Sequence, residues 1–251
     1  MSLAARVIPC LDIKDGRVVK GVRFQGLRDA GDPVECAAAY EGQGGDEIVL
    51  LDVSATPEGR GHALDTVRKV RKVLSIPLTV GGGVRTVEDA GRLLEAGADK
   101  VGINTAAVTR PGLIGEISER YGAQCTVLAV DAAATMAGWE VVIESGRRRT
   151  GIDVAEWCRK GAAGGAGEIL LTSWDRDGTR SGYDLDLLAT VAGVVSIPVI
   201  ASGGADEADH LADALRAGAS AVLIASILHD GDATVSELKA SLIAAGFVMR
   251  P

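Results

Sequence analysis

The sequence predicts an α/β protein: a single (β/α)8 TIM barrel built from two duplicated (β/α)4 halves, with residues 1–251 forming one domain. Three observations predict it. Short apolar runs ending in glycine or aspartate alternate with helical patterns, as buried parallel strands alternate with the helices that cover them. Thirty-three glycines are spread along the chain, which suits many short βα turns. Finally, a block recurs at a constant spacing of 121 residues: Ser75-Ile76-Pro77 returns as Ser196-Ile197-Pro198, Gly82-Gly83 as Gly203-Gly204, and Ala96-Gly97-Ala98 as Ala217-Gly218-Ala219. Glu47-Ile48 and Gly61 reappear at the same spacing as Glu168-Ile169 and Gly182. A spacing near half the chain marks a duplicated half-domain, because solenoid repeats are far shorter. An open doubly wound sheet also alternates strands and helices, but it gives no reason for four units repeated at one offset.

The elements follow in order. Strand one, Val7 to Asp12, ends in a carboxylate. A polar stretch follows, Lys14 to Lys20 and then Phe24 and Leu27 to Asp32. It is longer than a βα turn requires and reads as a lid or binding loop. Helix one runs from Pro33 to about Tyr40, with Asp32 as N-cap. Strand two is Glu47 to Asp52 and helix two spans about Ala63 to Leu74. The first copy of the repeat supplies strand three (Ile76 to Val80), helix three and strand four (Val101 to Ile103), whose tip is Asn104-Thr105. Helix four follows Pro111 to about Tyr121, and strand five runs from Cys125 to Val130 and ends at Asp131. The stretch from Gly138 to Thr150 contains the alternating run Trp139 to Glu144 and predicts a small hairpin. Helix five spans about Val154 to Ala162. The glycine run Gly161 to Gly167 precedes a strand, so it reads as a helix stop and not as a nucleotide loop. Strand six is Glu168 to Thr172, and helix six starts near Leu185. The second copy supplies strand seven, helix seven and strand eight (Val222 to Ile224, tip Ala225-Ser226), and helix eight, about Val235 to Ala245, closes the chain.

Composition narrows the function. An apolar fraction of 47% is ample for a soluble core. A net charge of −8 argues against nucleic acid or an anionic membrane as a partner. No run is long enough to span a bilayer, and the first residues lack a signal peptide's apolar centre. Cys10, Cys36, Cys125 and Cys158 form no C-x-x-C pair, the pattern of free thiols in a reducing cytoplasm. His62, His210 and His229 have no metal-ligand spacing, so neither a metal nor another cofactor is expected.

In a (β/α)8 barrel the chemistry sits at the C-terminal ends of the strands. Three ends carry aspartate: Asp12, Asp52 and Asp131, with Asp177 in the loop after strand six. Strands one and five face each other across the ring, so Asp12 and Asp131 are placed to act as acid and base on two sides of one substrate. They occupy corresponding places in the halves, although their separation of 119 residues is two short of the repeat. For Asp52 the plainer reading, a turn cap, stands level with a functional one. Glycines at a strand end let backbone N–H groups approach an anion, so the two copies predict two phosphate subsites. One has Gly83, Asn104 and Thr105; the other has Gly204, Ala225 and Ser226, to which Asp177 and Gly178 can add. Tight βα turns without a ligand are the alternative. Lys20 reads equally as a phosphate contact or a solvated lysine. At the opposite face Arg6, Glu47, Lys100 and Glu168 each begin a strand, and two charges of each sign there predict a ring closing the floor. Such a ring reads first as a stability device and second as a gate.

The motifs in sequence order resemble the family of cyclase subunits of imidazole glycerol phosphate synthase, from histidine biosynthesis. The resemblance rests on Ile8 to Asp12, Asp15 to Gly21, Leu27 to Val34, Val80 to Gly83, Ala98 to Val101, Ile103 to Ala107, Gly167 to Ser173, Asp175 to Thr179, Ser181 to Asp184 and Ala201 to Gly204, which together span nearly the whole chain. It implies a glutaminase partner, forming a heterodimer, that docks on the floor and sends ammonia through the barrel. At the mouth, ammonia would react with a ribulosyl aminoimidazole carboxamide bearing two phosphates (PRFAR), giving imidazole glycerol phosphate and the carboxamide ribotide AICAR. Asp12 and Asp131 match the family's acid and base, and Lys20 its loop lysine near a phosphate. Thr172 lies in a matching strand tip and joins the substrate contacts. Arg6, Glu47, Lys100 and Glu168 match its ammonia gate, and Asp99 a residue facing the glutaminase. Three positions depart from the family: Ala132-Ala-Ala-Thr135 stands where basic residues are usual, Trp174 replaces a smaller residue, and Leu228 replaces an aromatic. The sister isomerase of the pathway shares the halves, the aspartates and the phosphate subsites, and is the nearest alternative. A catalytically silent, bisphosphate-binding scaffold for a glutaminase is a third reading, against which the retained aspartates argue.

Overall fold

The computed structural model describes residues 4–22, 25–55, 58 and 64–250. Gly61, Phe24, His62 and the expected first residue of helix two, Ala63, lie outside the described residues. Strand β1 (Arg6–Lys14) continues past Asp12 and turns into β2 (Arg17–Val22), which pairs with β3 (Gln25–Gly31). The expected loop is therefore an antiparallel hairpin. Its turn places Asp15 at φ 51° and Gly16 at φ 75°, the left-handed pair that an Asp-Gly hairpin turn adopts. Helix α1 (Pro33–Gly42) is capped by the Asp32 carboxylate, which accepts the Val34 and Glu35 N–H groups. Then come β4 (Ile48–Asp52), α2 (Leu64–Arg71), β5 (Leu78–Gly81), α3 (Val87–Glu95), β6 (Lys100–Ile103), α4 (Thr105–Thr109) and α5 (Gly112–Tyr121). Strand β7 (Thr126–Thr135) extends into an antiparallel ribbon with β8 (Gly138–Ile143) and β9 (Arg148–Asp153), the small hairpin expected there. The chain finishes with α6 (Val154–Ala163), β10 (Glu168–Ser173), α7 (Leu185–Ala192), β11 (Val199–Ser202), α8 (Ala208–Arg216), β12 (Ala221–Ile224), α9 (Ser226–His229) and α10 (Val235–Ala244).

Eight of these strands close the barrel. All pairings round the ring, in the order β1-β4-β5-β6-β7-β10-β11-β12 and back to β1, are parallel. Successive side chains on a strand point to opposite faces, and that period sorts the core into two parts. On β1, Val7, Leu11 and Ile13 face the helices, whereas Ile8 and Cys10 join Val49, Val127, Leu170, Ile200, Ala221 and Leu223 inside the barrel. The inward columns then run from floor to mouth: Arg6, Ile8, Cys10, Asp12 on β1; Glu168, Leu170, Thr172 on β10; Val127, Ala129, Asp131 on β7. Charged side chains lie at the bottom, apolar ones in the middle, and acidic and hydroxyl side chains at the top.

The duplication extends to close backbone approaches. Gly82 and Gly203 have φ 95° and 93°. A Cβ would sit 2.3 Å from the Asp52 carbonyl oxygen at Gly82, and 2.7 Å from the Ser173 carbonyl oxygen at Gly203. Asp52 and Ser173 are themselves one repeat apart, so the requirement for glycine is copied with the fold. Helices α4 and α9, which the sequence reading did not include, are a second copied pair. They follow the tips of β6 and β12 at Asn104 and Ala225.

Candidate active site at the mouth and ion ring at the floor

A cavity of about 430 Å3 occupies the mouth. The strand ends and the loops after them bring to its wall every mouth residue named from the sequence: Asp12, Lys20, Gly83, Asn104, Thr105, Asp131, Thr172, Asp177, Gly178, Gly204, Ala225 and Ser226. Asp12 tops the inward column of β1 and Asp131 that of β7, and these strands are opposite in the ring. Lys20 reaches in from β2. Its buried ammonium lies 3.7 Å from Asp12 Oδ2 and 3.6 Å from Asp177 Oδ1, between two carboxylates. Asp131 Oδ2 accepts the Asn104 amide at 2.9 Å.

This enclosure shifts the acids. Burial pushes the Asp131 carboxyl up to about 7, helped by the nearby charges of Asp177 and Asp12 and opposed by the Asn104 hydrogen bond. Burial also raises Asp12, with Lys20 opposing the rise and Asp177 adding to it. Burial alone would lower Lys20, but Asp12 and Asp177 outweigh it and keep the ammonium charged. The site thus holds two carboxyls that burial raises, Asp131 to about 7 and Asp12 beside the charged Lys20, on opposite sides of the cavity, an arrangement that suits acid–base chemistry. Asp52 has a different job: its Oδ1 accepts the N–H groups of Ser54 and Ala55 and the Ser54 hydroxyl, all within 3.2 Å. That is a turn cap on the cavity wall. Among the described residues no cluster of three His, Cys, Asp or Glu side chains is arranged to hold a metal.

Three cations on the cavity wall, Arg85, Arg110 and Arg180, were not named from the sequence. Arg85 stands two residues after the Gly82-Gly83 turn, a proximity that could have flagged it. Arg180 could not be found so. It is tied to Asp206 and Asp232 and lies 3.6 Å from Asp230, in loops that only the fold assembles.

At the floor the four charges close a ring. Arg6 pairs with Glu47 at 3.0 Å and with Glu168, and Lys100 pairs with both glutamates at 2.8 Å. Thr79 donates to the remaining oxygen of Glu47 at 2.5 Å. Each charge has two opposite partners, so desolvation is compensated within the ring. Burial opposes ionisation of Glu168, but Arg6 and Lys100 hold its carboxyl below the usual carboxylate range. Asp99 lies on the outer side of this face, accepting the Leu78 N–H at 2.8 Å and pairing with Arg71 at 3.0 Å.

Comparison with known proteins points one way. A family model described as "Histidine biosynthesis protein" matches residues 6–234. "Imidazole glycerol phosphate synthase subunit HisF" of Streptomyces coelicolor is 58% identical over 251 residues, covering 100% of both chains. The proteins of that name from Nocardia farcinica and Mycobacteroides abscessus are 56% and 55% identical over 257 residues, again covering 100% of both chains.

Proposed function

The chain belongs to the histidine biosynthesis protein family, and we infer from that membership and from the cavity that it is the cyclase subunit of imidazole glycerol phosphate synthase. It combines ammonia with PRFAR to form imidazole glycerol phosphate and AICAR. The observation that carries the mechanistic reading is the pair of inward aspartates on opposite strands, one of them titrating near pH 7.

One phosphate of the substrate binds at Gly83, Asn104 and Thr105, and the other at Gly178, Gly204, Ala225 and Ser226, with Thr172, Asp177 and Lys20 between. The substrate spans the mouth with its reacting centre between Asp12 and Asp131. Ammonia addition to the ribulosyl carbonyl moves two protons from nitrogen to oxygen, which leaves as water. The resulting nitrogen closes on the formamidine carbon, and the C–N bond from that carbon to the aminoimidazole breaks, its nitrogen taking up a proton as AICAR departs. Asp131 gives and retakes a proton at neutral pH, and Asp12, beside Lys20, accepts one. Lys20 also offsets the charge of the arriving phosphates.

Ammonia comes from a glutaminase subunit bound as a heterodimer at the floor, where Asp99 faces the partner. The ring of Arg6, Glu47, Lys100 and Glu168 gates its entry to the apolar barrel interior. The complex works in the cytoplasm. Among the described residues no helix is long and apolar enough to cross a membrane.

The test is a product assay on the purified chain with PRFAR and a high concentration of ammonium salt at alkaline pH, without glutaminase. Imidazole glycerol phosphate is the expected product. Bisphosphate binding without any product would overturn the cyclase reading in favour of a silent scaffold, and conversion of the upstream aminoaldose isomer instead would point to the sister isomerase.

A further inference from the structure

The turn between β8 and β9, residues 144–147, reaches the wall of the mouth cavity at Ser145 and is held from three sides. The Glu144 N–H donates to Thr105 Oγ1 at 3.0 Å. The Ser145 hydroxyl donates to the Val53 carbonyl, 92 residues away in the chain, at 3.2 Å. Gly146 lies against Trp174, whose indole Nε1 would be 2.1 Å from a Cβ at that position. Glu144 and Ser145 both adopt left-handed backbone, φ 59° and 56°. Non-glycine residues pay about 1 kcal/mol or more each for that conformation, so the surrounding contacts must enforce it. Ser145 lines the cavity, whereas the Glu144 carboxylate is turned away to Arg148 Nε at 2.9 Å.

These contacts decide what the Thr105 hydroxyl can do. A hydroxyl has one proton to donate and lone pairs to accept with. The Glu144 N–H occupies the accepting side, and among the described residues no protein acceptor takes the Thr105 proton. That proton is left for a ligand, and an ionised phosphate oxygen accepts. We propose that Ser145 is a positioning residue for the phosphate subsite at Asn104–Thr105: by tying the turn to Val53 it holds the Glu144 N–H where it orients the Thr105 hydroxyl as a donor. The inference deepens the cyclase reading and rests on it for the identity of the phosphate ligand.

The experiment compares wild type with Ser145→Ala, Ser145→Gly and Ser145→Asn. Alanine loses the hydroxyl and keeps the strain, glycine loses the hydroxyl and relieves the strain, and asparagine tolerates left-handed backbone and restores a donor. With PRFAR and ammonium, KM should rise about fivefold in the alanine and glycine variants, the effect of one ordinary hydrogen bond. The turnover number should stay within about twofold, and asparagine should return KM to the wild-type range. Dissociation constants for inorganic phosphate, read by calorimetry, should follow the same order. An unchanged KM and phosphate affinity in the glycine variant would overturn the proposal, because the turn would then serve only the fold. So would a fall in turnover without a change in KM, or a failure of asparagine to rescue. Failure of the cyclase reading is seen separately, as absence of product from wild type, and the phosphate titration still decides the role of Ser145.

Discussion

Replacing Asp131 with asparagine should stabilise the protein at pH 8 while removing most of its activity. Asparagine keeps the size of the side chain and an oxygen for the Asn104 amide, but carries no charge to bury. Burial raises the carboxyl to about 7 in the folded chain, which corresponds to ~4 kcal/mol if nothing screens the charge. Asp131 is only partly buried where it meets the cavity, and water there reduces this to roughly 1–3 kcal/mol. The sign follows from proton binding. The folded state holds the Asp131 proton more tightly than the unfolded chain does, so wild-type stability falls as pH rises from about 4 to about 7. The variant lacks that loss. Its advantage should be absent below about pH 4 and full above about pH 7, amounting to about 3–9 °C in melting temperature for a chain of this length. Thermal melts of both proteins from pH 4 to 8.5, beside ammonium-dependent turnover at pH 8, provide the check. Loss of general acid–base catalysis predicts a fall in turnover of about 10²–10⁴. A melting-temperature difference that is constant with pH, or near-normal turnover, would refute the assignment of a buried proton-exchanging carboxyl.

Three further outcomes are expected. Asp12→Asn should abolish cyclase activity yet leave the circular dichroism spectrum intact; near-normal turnover would sink its role as base. Arg6→Ala should cost about 3–5 kcal/mol in denaturant titration, because Glu47 and Glu168 would then share Lys100 alone; a loss under 1 kcal/mol would mean water already screens the ring. Gly203→Ala should destabilise by about 2 kcal/mol or more, since its backbone is left-handed and its Cβ would meet the Ser173 carbonyl oxygen. An equal loss from Gly16→Ala, where the turn is open, would show strain alone at work, without the contact.

Much of the architecture was legible because it is written in local periods. The spacing of 121 residues revealed the halves, and alternation along each strand fixed which residues share a face. Once Ile8 and Cys10 face inward, Arg6 and Asp12 must do so too, one at the floor and the other at the mouth. The same period places Glu168 below Thr172. The Asp15-Gly16 pair was equally local, and the hairpin it makes was missed only because a long polar stretch reads first as a loop.

What the chain could not announce depends on distant groups meeting. Arg6 and Glu168 are 162 residues apart, and their pairing exists because β1 and β10 belong to one closed ring. Lys20 fell between phosphate contact and solvated side chain on sequence, and the fold puts its ammonium between Asp12 and Asp177. The clustering of Arg180 with Asp206, Asp230 and Asp232 likewise arises only when separate loops converge. Asp52 and Asp131 both end a strand in the sequence, where only Asp131 has a counterpart across the ring, Asp12, and Asp52 reads equally as a turn cap. Burial beside other acids raises the Asp131 carboxyl to about 7, whereas the Asp52 carboxylate accepts hydrogen bonds from its own turn. Residue type and period determined where the carboxylates stand; the surrounding charge, burial and hydrogen bonds, which exist only after closure, decided what each can do.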